Sequence, residues 1–474
     1  MRPRAPAEAP AGRDSWPVGP DIPTATPPLW RLAALGMLVG GFVLGAATSR
    51  TKLGRAVTWL TAAVAVGSTI PVAVASRRPP ITPRRAGAAL EATTRWPTFS
   101  VVVAARDEAT VLRRLVGDVA RQDYRRADGS PNFELVVVDD RSKDGTGDAV
   151  RDAAEAAGFA GATRVIKRRG ENLPDGKGAA LTAAQPDVCT GDVMLVLDAD
   201  ARIEPWFLRR AAGYFAAGAR AVTARRRILD PGRGWLEGAQ ADEQTLDGEL
   251  NRGRWALGGC SEFRGNGIMI RRDLLADVGG WRASALCEDV DLSSRIAAAA
   301  GERVAWALDA VVWEEPVRTF EGLWRQRCRW AEGALRRVFE HGPAVMTSPW
   351  LPAGAKLDFA VYAGQLAVPA LGLGVAAATI GARRRGEAAA LAAGYLVAGG
   401  VLAWDSLRWE SGADGRPIPL FERAGRTVRV AAFSGIWLVA VPKALANLAL
   451  RGGPIRYLKM EHGGAGEPEG VAEG

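Results

Sequence analysis

The sequence predicts an α/β domain with a mostly parallel sheet, set between transmembrane helices at both ends of the chain. Three observations predict it. From residue 98 to residue 217, short apolar β-branched runs alternate with helical patterns, the mark of βαβ units. Acidic residues end two of those runs and closely follow a third, at the strand ends where open α/β sheets bind their ligands. On both sides lie apolar stretches nearly free of charge, although 24% of the 474 residues are charged and 48% are apolar.

Taken in order, residues 1–28 form a Pro/Ala/Arg-rich leader that reads as disordered. Apolar segments follow at 32–47 and 56–76, making a hairpin over 29–76. About twenty apolar residues are needed to cross a bilayer, and 56–76 meets that length. A basic linker, 77–97, carries Arg77, Arg78, Arg84 and Arg85, which fits a cytoplasmic face by the positive-inside rule. Three further segments, 359–382, 388–404 and 430–450, fall in a C-terminal region of about three helices, 346–451. Each could instead be a buried helix of a soluble core, but five on one chain favour a multi-pass membrane protein. Counting them in order places Arg383-Arg384-Arg385 on the outer face, against the same rule. The tail, 452–474, reads as flexible.

Within the central domain, 98–318, strands are expected at 98–105, 133–138, 164–167 and 193–197. Helices are expected up to residues 122 and 158, from 178 and over 204–217. Beyond Ala224 the alternation lapses, and 225–265 reads as Gly-, Trp- and Arg-rich loop. A turn into a strand follows at 265–272, then a helix at 273–278, and Glu288, Asp289 and Asp291 enter another helix. Carboxylates in a first turn suit the positive end of a helix dipole, so that electrostatic role stands beside any catalytic one. Residues 319–345 mix Trp324 and Trp330 with five arginines, the pattern of an amphipathic helix lying along a membrane surface.

Composition excludes several chemistries. Two histidines, His341 and His462, leave little room for a histidine-ligated metal site or a Ser-His-Asp triad. Four cysteines without CxxC spacing suit a reducing compartment. The net charge of +9 is spread along membrane borders and helices, which does not make a nucleic-acid surface.

The acidic sites form an ordered set: Asp139-Asp140 in VVVDDRSKDGT, Asp198 and Asp200 in VLDAD, Glu288-Asp289, and then Gln326, Arg329 and Trp330 in QRCRW. Each alone is a weak signal. Together they resemble the family 2 glycosyltransferases, in particular membrane-embedded members similar to cellulose, chitin and hyaluronan synthases and to membrane lipid (diacylglycerol) glucosyltransferases. The resemblance covers residues 98 to 330 and implies a GT-A, nucleotide-diphosphosugar transferase, domain on the cytosolic side of the cytoplasmic membrane. It implies that Asp107, Glu108, Asp139, Asp140 and Lys177 bind the nucleotide, that Asp198 and Asp200 hold Mg²⁺ or Mn²⁺, and that Asp289, beside Glu288, is the general base. Gln326, Arg329 and Trp330 fall near the acceptor and the diphosphate. The partners implied are a nucleotide sugar donor, a polysaccharide or lipid acceptor and the bilayer. Cys287 and Gly267 depart from the family pattern without removing a proton-transfer or metal group.

The chemistry needs these residue types. Hard oxygen ligands suit a divalent ion on a departing diphosphate, Arg329 adds donors to phosphates, and an acceptor hydroxyl needs a nearby base. The reading is an inverting, metal-dependent transfer from a UDP-sugar. A non-catalytic membrane scaffold is the alternative from another class, opposed by the complete set of acids.

Overall fold

The computed structural model describes residues 26–170, 173–230, 234–411 and 416–451, apart from some side chains within the helices Lys52–Ala75 and Arg385–Ser406. The tail and most of the leader lie outside the described residues.

The strands are β1 (Phe99–Ala105), β2 (Phe133–Asp140), β3 (Thr163–Arg168), β4 (Val193–Leu197), β5 (Arg202–Ile203), β6 (Ala221–Ile228), β7 (Ile268–Arg271) and β8 (Ala305–Glu314). They form one sheet in the order β3-β2-β1-β4-β7-β6-β8-β5. The first four of that order are parallel. Then β7 runs antiparallel to both β4 and β6, while β6 and β8 are parallel again. The continuous apolar runs have a direct cause: Val101 and Val103 enter one buried cluster and Val102 the opposite one, and β4 divides in the same way. A strand covered on both faces loses its polar alternation. Register then sets the site, because Ala105 lies opposite Asp139 and Val103 opposite Leu197. The acids after β1, β2 and β4 therefore share one sheet edge.

One region differs from the sequence expectation. The stretch expected as loop after Ala224 continues β6 to Ile228 and then forms the 22-residue helix Trp235–Ala256. Its charges do not follow an outward stripe because many are buried against distant partners. Asp242 meets Arg426 and Arg429 at 2.7 and 2.6 Å, Glu249 meets Arg408 at 2.8 Å, and Arg254 meets Asp358 at 2.8 Å. The amphipathic segment expected to lie along a membrane surface is the 28-residue helix Phe320–Thr347. It packs between the helices Glu288–Ala300 and Trp437–Leu450. Arg327 and Arg337 turn inward to Glu243 and Glu262, so one face of this helix is tied to the domain, while Phe320 at its start is exposed.

All five apolar segments are helical. Among the described residues, Pro28–Thr48 and Leu420–Leu450 are long and apolar enough to cross a membrane, and Ala353–Gly364 with Val368–Gly381, bent by 45°, makes a third such length. The first and third pack backbone to backbone. A Cβ on Gly45 would lie 2.2 Å from the Leu371 carbonyl oxygen, and one on Gly374 would lie 2.0 Å from that of Phe42. Small residues allow this approach where lipid supplies no hydrophobic drive between helices. Arg384 donates to the Ser49 carbonyl at 2.6 Å, so the three-arginine cluster sits beside the turn that follows Pro28–Thr48.

Candidate active site

The chain after β4 turns at Asp198, whose backbone N–H donates to Asn266 Oδ1 at 3.1 Å. Two residues on, Asp200 is 8% exposed, and its Oδ2 accepts from the Glu315 N–H at 3.2 Å. Glu314, the last residue of β8, lies close by. Burial, reinforced by the charges of Asp198 and Glu314, pushes the Asp200 carboxyl up to about 8. Nearby carboxylates of this kind resist ionising together unless a cation joins them. The donor set is made of hard oxygens, so Asp198 and Asp200 fit Mg²⁺ or Mn²⁺ on chemistry and on charge.

Next to this pair stands Lys177, at the start of a short helix placed by the close packing of residues 177–181 under β1. Its ammonium donates to Asp198 Oδ1 and to the Gly265 carbonyl, both at 2.6 Å, and lies 3.2 Å from Glu288 Oε1. Burial alone would lower it, but Asp198 and Glu288 outweigh burial and hold it above the ordinary lysine value. Glu288 is raised by burial, partly offset by Lys177. Gly265 also donates its N–H to Asp289 Oδ2 at 2.8 Å. The backbone of one residue thus ties the lysine that holds Asp198 to Asp289, and the first turn of the helix Glu288–Ala300 is fixed beside the carboxylate pair.

The aromatic-basic motif reaches this cluster through a single arginine. Trp330 has Arg327 over its ring at 4.3 Å and Arg226 at 5.7 Å. Arg226 donates to Glu314, and Gln326 accepts from Arg327. Arg329 lies half-buried on the same helix, with its carbonyl near Cys287 Sγ. Gly333 allows the two helices to meet, since a Cβ there would stand 2.3 Å from that sulfur. Burial pushes the Cys287 thiol well up, so it acts as a packing group.

Residues 97–333, half of the chain, match the family described as glycosyltransferase like family 2. The chain belongs to this family. As a family 2 glycosyltransferase it is 29% identical over 382 residues to a beta-monoglucosyldiacylglycerol synthase of Synechocystis sp., covering 78% of this chain and 76% of that one. It is 31% identical over 264 residues to the synthase of the same name from Trichormus variabilis, covering 53% of this chain and 52% of the relative. Its fold resembles that of the mannosyltransferase PcManGT from Pyrobaculum calidifontis, solved with GDP-Man and Mn²⁺. That likeness has a TM-score of 0.51 at 24% identity and covers 82% of this chain and 99% of the other. The fold is GT-A.

In this glycosyltransferase the residues expected at the nucleotide divide into two groups. Asp107, at φ 52°, accepts from the Lys143 N–H at 2.7 Å, while Glu108 donates its N–H to Thr146 Oγ1 at 2.9 Å. These contacts lace the loop after β1 to the loop after β2. Asp139 accepts from the Ser142 N–H at 3.2 Å. Asp140 is held by Arg141 at 2.9 and 3.0 Å and by Arg168 at 2.8 Å. Both loops border the edge on which Asp198 sits.

Sequence reasoning missed Glu314, Arg226 and Asn266. A signal existed for the first, because the run before Glu314-Glu315 ends as β4 does, in paired acids. Gly267 has a structural reason for departing from the family pattern: its φ is 79°, and a Cβ would lie 2.5 Å from that of Ala224. His341 sits at Asp291, 2.8 Å away, where Glu340 completes a group of possible metal ligands. Arg282 and Arg295 already occupy those carboxylates, so the group is an ion-pair network. His462 lies outside the described residues.

Proposed function

We propose that the protein is an inverting, metal-dependent glycosyltransferase of the cytoplasmic membrane, moving a hexose from a UDP-sugar to the free hydroxyl of a diacylglycerol. The observation that carries the reading is the backbone of Gly265, whose carbonyl holds Lys177 against Asp198 and whose N–H holds Asp289. Leaving-group and proton-transfer functions are thereby kept in one geometry.

In this reading Asp198 and Asp200 hold Mg²⁺ or Mn²⁺, which when bound neutralises charge on the diphosphate. The acceptor oxygen bonds to the anomeric carbon from the face opposite the leaving group, and the carbon–oxygen bond to the diphosphate breaks with its electron pair. The acceptor proton goes to Asp289, whose oxygens keep spare lone pairs after accepting from Gly265 and Val290. Glu288, paired with Lys177, keeps the neighbouring charge balanced. Arg329 adds donors to the phosphates, Trp330 offers a flat apolar face to a sugar ring, and Gln326 lines the acceptor side. Asp107, Glu108, Asp139 and Asp140 border the nucleoside.

The lipid acceptor is favoured over a polysaccharide by the extent of likeness to the Synechocystis synthase, which runs into the apolar helices. A multi-pass arrangement with a cytosolic catalytic domain is supported by the five apolar helices and by Arg77, Arg78, Arg84 and Arg85 between the second of them and β1. Membranes containing the protein are incubated with labelled UDP-glucose or UDP-N-acetylglucosamine, dioleoylglycerol and Mg²⁺ or Mn²⁺. Label extracted into organic solvent, and lost with a chelator, is the expected result. Label in polymer overturns the lipid acceptor. Tight metal-dependent UDP binding with no transfer under any condition overturns catalysis in favour of a scaffold.

A further inference from the structure

An apolar cleft of about 490 Å³ opens between the helices Trp235–Ala256, Phe320–Thr347 and Leu420–Leu450, the second of which carries Gln326, Arg329 and Trp330. Trp235 and Leu236 form one wall, Phe320 and Trp324 a second, and Phe433 and Ile436 a third. Its volume falls within the roughly 300–1,000 Å³ of ordinary ligand pockets. Its rim is unusually open for apolar surface, with Trp235 58% and Phe320 66% exposed. Such surface in contact with water marks a place that something apolar covers.

Position identifies the occupant. The third wall belongs to Leu420–Leu450, a helix long and apolar enough to cross a membrane. Lys443, on that helix, sits 5.5 Å from the Trp324 ring, and lysines in apolar helices carry their charge to the headgroup level. The cleft therefore opens at the boundary between acyl chains and headgroups. Its inner end approaches the candidate acceptor site: Arg327 lies 5.8 Å from the Phe433 ring and 4.3 Å from that of Trp330.

We propose that this cleft takes one acyl chain of the lipid acceptor, drawn from the bilayer, so that the glycerol hydroxyl is delivered toward Trp330 and Asp289. The inference rests on the lipid-acceptor reading and deepens it. Chain length, and not only the hydroxyl, then determines acceptor use.

The test uses the full chain in lipid nanodiscs with a diacylglycerol carrying a diazirine near the end of one acyl chain. Irradiation is expected to label peptides containing residues 235–236, 320–324 and 432–439, and excess dioleoylglycerol is expected to compete. Ile436→Trp fills the cleft and should raise the KM for dioleoylglycerol by about tenfold, leaving the KM for the nucleotide sugar and for dibutyrylglycerol unchanged. Labelling needs no substitution, so it decides even if that variant folds poorly. Adducts scattered over Pro28–Thr48 or insensitive to competition, with lipid product still formed, overturn the cleft alone. Polymer product without glycolipid overturns the lipid-acceptor reading instead.

Discussion

Arg226 donates two hydrogen bonds to Glu314, at 3.0 and 2.6 Å, and lies over the Trp330 ring, while the charge of Glu314 acts on the buried carboxylate of Asp200. Burial lowers this guanidinium, but Glu314 outweighs burial and holds it above its ordinary value. Removing one partner of a largely buried pair costs about 3 kcal/mol, because the remaining charge is stranded. Arg226→Met should therefore lower the denaturation midpoint markedly, and adding Glu314→Gln should recover part of the loss. Denaturant titration of the single and double variants in detergent measures both steps. Equal stability of Arg226→Met and the unaltered protein would contradict this role.

Asp289→Asn should reduce transfer by about 10²–10⁴-fold, the range for a lost general base, while metal-dependent UDP binding persists. Asp200→Asn should weaken that binding as well. Steady-state rates beside calorimetric titration with UDP and Mn²⁺ separate the two, and ordinary turnover by Asp289→Asn would reassign the base.

Protons should compete with the metal. With its folded value raised to about 8 from the ordinary carboxyl value of 3.8, Asp200 favours the folded state fully only below about pH 4. That contribution is lost as pH rises through about 8. In chelator the melting temperature should therefore carry a falling component from this residue across that window. Added Mn²⁺ should raise it more at pH 8 than at pH 6. Melting curves with and without chelator across this range supply the comparison.

Glu262 behaves in the opposite sense. Burial raises it, but Arg337, Arg254 and Arg264 outweigh burial and bring it to about 2 from 4.5. Its contribution, on the order of 3 kcal/mol for a shift of this size, is present above about pH 4.5 and is lost as pH falls toward 2. Glu262→Gln should lower stability at pH 7 and flatten the acid limb between those values, as followed by circular dichroism.

Gly45→Leu or Gly374→Leu should separate two apolar helices whose backbones now touch. The expected signs are a lower melting temperature and faster proteolysis at 49–51, with nucleotide binding retained at temperatures below melting. Protection identical to the unaltered protein would show that the contact is dispensable.

Most of the parallel half of the sheet was legible because β1, β2 and β4 are apolar on both faces and carry acids at or soon after their ends. The other half was not, and β6 shows why. Its last residues include Arg225, Arg226 and Arg227, which read as solvent-facing, yet Arg225 and Arg227 meet Glu410 and Arg226 meets Glu314. Those partners lie 88 to 185 residues away, beyond any local periodicity. The helix Trp235–Ala256 was hidden in the same way. Within the site, the contacts of Lys177 were not legible, because nothing in the sequence brings Gly265 or Glu288 to it. Glu314 could have been read, since its strand ends as β4 does.

The pairs that obscured that helix have a wider consequence. Asp242 is neutralised by arginines of Leu420–Phe433, Glu249 by Arg408, and Arg254 by Asp358. Cutting the chain at residues 97 and 333 would strip Asp242 of both arginines and would take one ion-pair partner each from Glu249 and Arg254, leaving Arg252 and Glu262 to hold those two. The C-terminal apolar helices are thus tied into the folding unit of the sheet, and removing them would cost the catalytic domain charge partners in its interior.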